Sequence, residues 1–241
     1  MANGLSGTAK PPVCVIAGAG PGNGAAFARK FAKEGYAVAL LARGTERIEA
    51  LARQLPLARA FACDLTDPLP VERVFAAIRK EWGPPGTLIY NAGTGVWGSV
   101  EEITPDDLES AWRINTFGAF MAARQVIPGM KEAGRGTIVL IGATASRRGG
   151  AKSAAFAPAK AAQRSLAQSM ARSLGPLGIH VALAVIDGVV DSPQARRMFP
   201  GKLESFFIQP DAVAETVYWL TQQDRSAWTF ELDLRPFAET W

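Results

Sequence analysis

One histidine, His180, and two cysteines, Cys14 and Cys63, are the only imidazole and thiol groups in 241 residues. No Cys/His cluster has ligand spacing, so no metal is expected. Both cysteines sit in apolar, strand-like runs, which reads as reduced core thiols in a cytoplasmic protein. No apolar run approaches the ~18 residues of a membrane span, so no membrane partner is expected. The opening MANGLSGTAKPP lacks the basic and apolar regions of a secretory signal, and residues 1–11 read as a flexible N-terminal tail. Lys and Arg number 26 against 22 Asp and Glu, a formal net charge of +4. These basic residues are scattered rather than blocked, which argues against a nucleic-acid partner. A basic pocket for a phosphorylated cofactor accounts for the excess equally well. At 48% hydrophobic and 20% charged, residues 12–241 suit a single α/β domain with a sizeable core.

What is present is a strand, a glycine loop and a helix in immediate succession. PVCVIAG (Pro12–Gly18) is short and apolar, GAGPGNG follows, and Ala26, Phe27, Phe31 and Ala32 then repeat at helical spacing. Gly18, Gly22 and Gly24, with Asn23 among them, let the backbone turn tightly and approach a pyrophosphate at a helix N-terminus. An ordinary strand-to-helix turn is the plainer alternative. The second strand, Tyr36–Arg43, ends on Ala42-Arg43, where an NAD enzyme places an acid. A guanidinium there suits a 2′-phosphate and favours NADP(H) over NAD(H). Arg43 is otherwise a solvated residue opening the next helix. Asp64 follows the third strand, placed either to accept from an adenine amino group or to cap the helix near Asp67-Pro68. Thr87–Gly93 is a fourth strand and a small-residue turn, with Asn91, Ala92 and Gly93 at the ligand-binding edge of such a sheet.

A long helix is expected from Thr104-Pro105 to about Met130, with Asn115 in its apolar middle. That amide is either a satisfied core group or one that bends the helix and anchors a water near an active site. The strand GTIVLIG leads through a glycine-rich loop into the helix SAAFAPAKAAQRSLAQSMARSLG, where Phe156 and Lys160 share one face. Ile179–Ile186 is a sixth strand. Then come a loop of broken helical character, a last helix DAVAETVYWLTQQ and a short strand FELDL. This alternation predicts a doubly wound parallel sheet of about seven strands with helices on both faces.

Taken together, these residues resemble the short-chain dehydrogenase/reductase family over essentially the whole chain from about Pro12. The resemblance rests on the spacing of Gly18, Gly22 and Gly24, Asp64, Asn91-Ala92-Gly93, Asn115, and Lys160 at the lysine of a Tyr-x-x-x-Lys pattern. It rests also on Asp187-Gly188-Val189-Val190-Asp191-Ser192, similar to the segment that holds the nicotinamide end. It implies a Rossmann-type dinucleotide-binding domain with strand order 3-2-1-4-5-6-7. It also implies a homodimer or homotetramer formed through the fourth and fifth helices. Gly188, Val190 and Ser192 then join the cofactor contacts, and Lys160 holds the nicotinamide ribose.

The family's catalytic set is Asn, Ser, Tyr and Lys. Asn115 and Lys160 remain, but Phe156 stands at the Tyr position and Ala143 at the Ser position, so both groups that touch the reacting oxygen are missing. Thr144, one place from the lost Ser, is a candidate substitute, and Ser153, Tyr90 and Asp187 are further ones. Tyr36 and Tyr218 are the only other tyrosines. The expected function is hydride transfer between NADP(H) and an unknown, apolar small molecule by altered chemistry, for example to an already protonated imine. The expected pocket is lined by Ala143, Phe156, Val189, Met198 and Phe199, with Arg147, Arg148 and Lys152 facing an anionic tail or only solvent. The alternatives are a catalytically inactive nicotinamide-nucleotide-binding protein, serving as sensor or scaffold, and a structural module without cofactor. Trp228, Phe230, Phe237 and Trp241 are expected to cover core or a subunit interface.

Overall fold

The computed structural model describes residues 10–239; the expected N-terminal tail, apart from Lys10 and Pro11, and Trp241 lie outside them. The chain runs β1 (Val13–Ala17), α1 (Asn23–Lys33), β2 (Ala37–Ala42), α2 (Glu46–Ala52), β3 (Ala58–Ala62), α3 (Pro68–Trp82) and β4 (Thr87–Tyr90). It continues with α4 (Pro105–Trp112), α5 (Gly118–Ala133), β5 (Gly136–Ala143), α6 (Phe156–Leu174) and β6 (Ile179–Ile186). The last elements are β7 (Val189–Val190), α7 (Pro193–Met198), β8 (Phe207–Ile208), α8 (Pro210–Thr221) and β9 (Glu231–Leu234).

Seven strands form one parallel sheet in the order β3-β2-β1-β4-β5-β6-β9, as the resemblance implies. The five inner strands are nearly continuous apolar runs buried on both faces, whereas the edge strands β3 and β9 carry Arg59, Glu231 and Asp233. In β1, Val13, Val15 and Ala17 face α3, α5 and α6 with Phe75, Ile78 and Met130. Cys14 and Ile16 face α1, α2 and α8 with Phe27, Ile48 and Val217. The strand order reverses between β1 and β4, and such a reversal opens a crevice at the carboxyl ends of the strands. No helix among the described residues is long and apolar enough to cross a membrane.

Three expectations change. The helix that opens at Thr104 begins as predicted, in a capping box between Thr104 and Asp107, but a π turn at Arg113–Phe117 interrupts it and it ends at Ala133. Asn115 sits inside that turn. The helix carrying Lys160 starts at Phe156, not Ser153, because the Ser153 hydroxyl closes a turn with the Gly150 N–H and carbonyl at 2.7 and 3.0 Å. At the C-terminus Trp228 stacks on His180 (4.9 Å) and Phe230 packs on the core, but Phe237 is 93% exposed and does not cover the core of this chain. On either side of α7 the broken segment pairs back on itself, β7 with β8.

Candidate active site

The crevice is built on close backbone packing. Gly18 follows β1 at φ +94°, and a Cβ there would lie 2.4 Å from the Ala92 nitrogen. Only glycine permits this approach. The two turns are then tied together: Asn91 Nδ2 donates to the Gly18 carbonyl at 2.8 Å, and the Asn91 and Ala92 N–H groups both donate to Ala17. Gly24 lets α1 press down in turn, since a Cβ there would meet the Gly18 oxygen at 2.6 Å. Gly22 faces Val190, Asp191 and Ser192 across the crevice.

At the glycine loop the helix is left open. α1 begins at Asn23 with no side-chain cap and no acidic residue in its first turn, whereas Asp67 and Thr104 cap α3 and α4. The free N–H groups and the positive end of the dipole therefore await an anion. Asn23 is buried and its Oδ1 has no partner among the described residues. Arg43 follows β2 and is exposed at the crevice rim. Asp64 Oδ1 accepts from the Thr66 N–H and hydroxyl at 2.9 and 2.7 Å. These bonds, with the charge of Arg43, hold its carboxyl below the usual range. Asp67, not Asp64, caps α3. Gly188 lies against Pro236 and leads into β7 with Val190. Ser192 Oγ accepts from the Ala195 N–H and so caps α7.

The floor of the crevice holds Lys160 and Asn115. Lys160 is only 6% exposed, and Nζ donates to the Ile141 carbonyl at 2.8 Å and to Gln163 Oε1 at 3.1 Å. Burial pulls the amine down to about 7. Asn115 is fully buried; Nδ2 donates to the Ala111 and Thr94 carbonyls at 2.9 and 3.1 Å, while Oδ1 has no partner among the described residues. A Cβ on Gly93 would lie 2.7 Å from Asn115 Oδ1 and 3.6 Å from Lys160 Nζ. An open acceptor and a buried amine thus converge on Gly93.

Above the lysine there is no hydroxyl of the expected kind. The Phe156 ring lies 5.9 Å from Lys160 Nζ and 5.1 Å from the ring of Trp97. Ala143 ends β5, and its N–H donates to the buried Ser146 hydroxyl. The proposed substitutes are all engaged. Thr144 donates to Asp187, which pairs with Arg235 at 3.3 Å. Tyr90 is buried beneath the helix and donates to the Ile114 carbonyl at 2.5 Å, and burial drives its phenol upward. Tyr36 and Tyr218 flank Phe31 on the α1–α8 face. Of the expected pocket lining, Met198 is exposed and Phe199 packs on Phe206. Arg147 is held by Glu231 and Asp233, leaving Arg148 and Lys152 exposed.

Two residues were not singled out from sequence. Gln163 lies three places beyond Lys160 on a buried face, where any polar residue is a signal. Trp97 carries no local pattern, and only the path of the loop after Gly93 brings it to Phe156.

An open parallel sheet with an uncapped helix N-terminus and a buried lysine at its switch point defines the class of nucleotide-binding α/β proteins. Residues 12–202 match the family model for short chain dehydrogenase. The chain is 29% identical over 230 residues to the 3-oxoacyl-[acyl-carrier-protein] reductase MabA of Mycobacterium bovis, covering 90% of each. It superposes on a short-chain dehydrogenase from Rhodopseudomonas palustris with a TM-score of 0.80 at 34% identity, covering 94% of this chain and 99% of that one. A metagenomic short-chain oxidoreductase in complex with NADP gives 0.81 at 28%, covering 95% and 98%. The chain belongs to the short-chain dehydrogenase family of oxidoreductases.

Proposed function

We propose that this protein transfers hydride between NADP(H) and an apolar small molecule whose acceptor atom needs no proton from the protein. The carrying observation is the combination at Lys160: the amine lies buried beside Gly93 and Asn115, yet the ring next to it is Phe156. The residues fit a dinucleotide. The open start of α1, with Gly18, Gly22, Asn23 and Gly24, would take the pyrophosphate. Arg43 would take the 2′-phosphate, and Asp64 the adenine. Asn91, Ala92 and Gly93 would line the ribose side. Lys160 would hold the nicotinamide ribose, while Gly188, Val190 and Ser192 would hold the nicotinamide end. The cofactor supplies or accepts the hydride.

The chain's own residues then position and desolvate rather than protonate. Phe156 and Trp97 lie ring against ring, and an aromatic pair at the site would favour a flat or cationic acceptor such as an iminium ion. An iminium carbon accepts hydride to give the amine with no further proton. Purified protein should oxidise NADPH with imines or other activated acceptors. The absence of turnover across a carbonyl, imine and enone panel would favour the second reading, a cofactor-binding sensor or scaffold. That reading draws support from the same missing hydroxyl.

Cofactor choice rests on Arg43. Arg43→Ala should weaken NADPH binding about tenfold, the scale of one lost charge-assisted contact, and leave NADH binding unchanged. Equal loss for both in a fluorescence titration would remove Arg43 from the 2′-phosphate site. We also propose a homodimer or homotetramer through α4, α5 and α6. Leu108, Trp112 and Phe120 are exposed, and an apolar hollow of about 430 Å³ lies between Pro105, Trp112 and Pro158. Light scattering that returns a monomer at micromolar concentration would contradict this.

A further inference from the structure

Gln163 is a fully buried carboxamide in the middle of α6, a costly placement unless both ends are bonded. Both are. Oε1 accepts from Lys160 Nζ at 3.1 Å, and Nε2 donates to the Asn115 carbonyl at 2.9 Å. One side chain therefore links the amine at the cleft floor to the π turn that carries Asn115. A second tie lies beside it, where the Thr116 hydroxyl donates to the Ala159 carbonyl at 2.7 Å. We infer that Gln163 is a positioning residue: it clamps Lys160 to the Asn115 turn and sets the balance between the charged and neutral forms of the amine. The consequence for cofactor binding rests on the reading in which Lys160 meets the ribose.

The chemistry of the bridge is specific. Nζ is offered two fixed neutral acceptors, the Ile141 carbonyl from β5 and Gln163 Oε1 from α6. Among the described residues Phe156 approaches it from α6, and the Asn91–Gly93 turn and the π turn bring Gly93 and the Asn115 amide. No carboxylate contacts the amine from any of these elements among the described residues, and burial alone accounts for its lowered titration. A carboxamide holds the ammonium without becoming a counter-ion and without exchanging a proton with it. An acidic residue in its place would lock the charge on, and an apolar one would remove half of the acceptor set.

The test is the titration of Lys160 in the cofactor-free protein, followed by NMR of labelled lysine side chains, with the resonance assigned by its loss in Lys160→Met. Gln163→Leu should lower the midpoint by about one pH unit, tenfold in the ionisation constant. Gln163→Glu should raise it by more than about one unit. NADPH affinity at neutral pH should fall in Gln163→Leu. Identical midpoints in the unaltered protein and both variants would overturn the inference, even if thermal stability fell, because a merely structural role would move stability alone. Should Gln163→Leu fail to fold, the rise in Gln163→Glu decides the matter. If the unaltered protein binds no NADPH, the cofactor reading fails, while the titration still reports on the clamp.

Discussion

Phe156→Tyr combined with Ala143→Ser should raise NADPH-dependent reduction of simple ketones by about 10²–10⁴-fold over the unaltered protein, the usual worth of a positioned general acid. The site is prepared for it. Position 156 is on the first turn of α6, and its ring already lies 5.9 Å from Lys160 Nζ. A phenol there would feel the lysine charge, which favours its ionised form. Ser at 143 would add a hydroxyl at the end of β5, beside the Thr144–Asp187 contact. Each single change should recover less, because the phenol and the serine act on the same oxygen as a unit. Steady-state kinetics on a ketone panel decides it. No gain in the double variant, with NADPH binding intact, would show that the cleft is not aligned for carbonyl chemistry at all.

The second large effect is on stability. The buried Lys160 amine titrates at about 7 against an unfolded value of 10.5. Between those values the unfolded chain binds more protons, so stability rises with pH. Over pH 7 to 9 the gain should be about 2 kcal/mol, or roughly 5 °C in Tm for a chain of this size. Other titrating groups bound this window. His180, lowered first by burial, costs stability below about pH 6.5. Cys14, raised by burial, Cys63, pushed up to about 11, and Tyr90, pushed higher, act with opposite sign as the unfolded thiols ionise from about pH 8.5 and the unfolded phenol from about pH 10, and so offset part of the Lys160 gain near pH 9. Lys160→Met should flatten the pH 7–9 segment and weaken NADPH binding. A slope that survives in Lys160→Met would place the titrating group elsewhere.

Much of this was legible in the sequence because period and punctuation agreed. Short apolar runs bounded by turn residues, such as IHVALAVI after Gly178, read as strands buried on both faces, and β6 spans Ile179–Ile186 as read. The Gly18–Gly24 spacing announced the tight turn because steric exclusion at Gly18 and Gly24 is severe. The π turn at Asn115 was not legible, since one extra residue in a helix leaves the apolar pattern almost unchanged. The delayed start of α6 depends on a hydroxyl closing its own turn at Ser153. By sequence Thr144 and Asp187 are candidate substitutes for the missing proton donor, but they bond to each other at the ends of β5 and β6. That contact has no signature at short sequence separation, and of the Gln163 bridge only the three-residue spacing to Lys160 is local, while its bond to Asn115 joins distant parts of the chain.

The most direct measurement is NADPH oxidation by the unaltered protein, at saturating cofactor, across matched ketones and cyclic imines. The account predicts turnover of acceptors that bring their own proton and little of simple ketones. Rates should fall as pH rises past the acceptor's own ionisation rather than follow a tyrosine. Bound NADPH with no oxidation by any acceptor would contradict it and leave a nucleotide-binding protein without hydride chemistry.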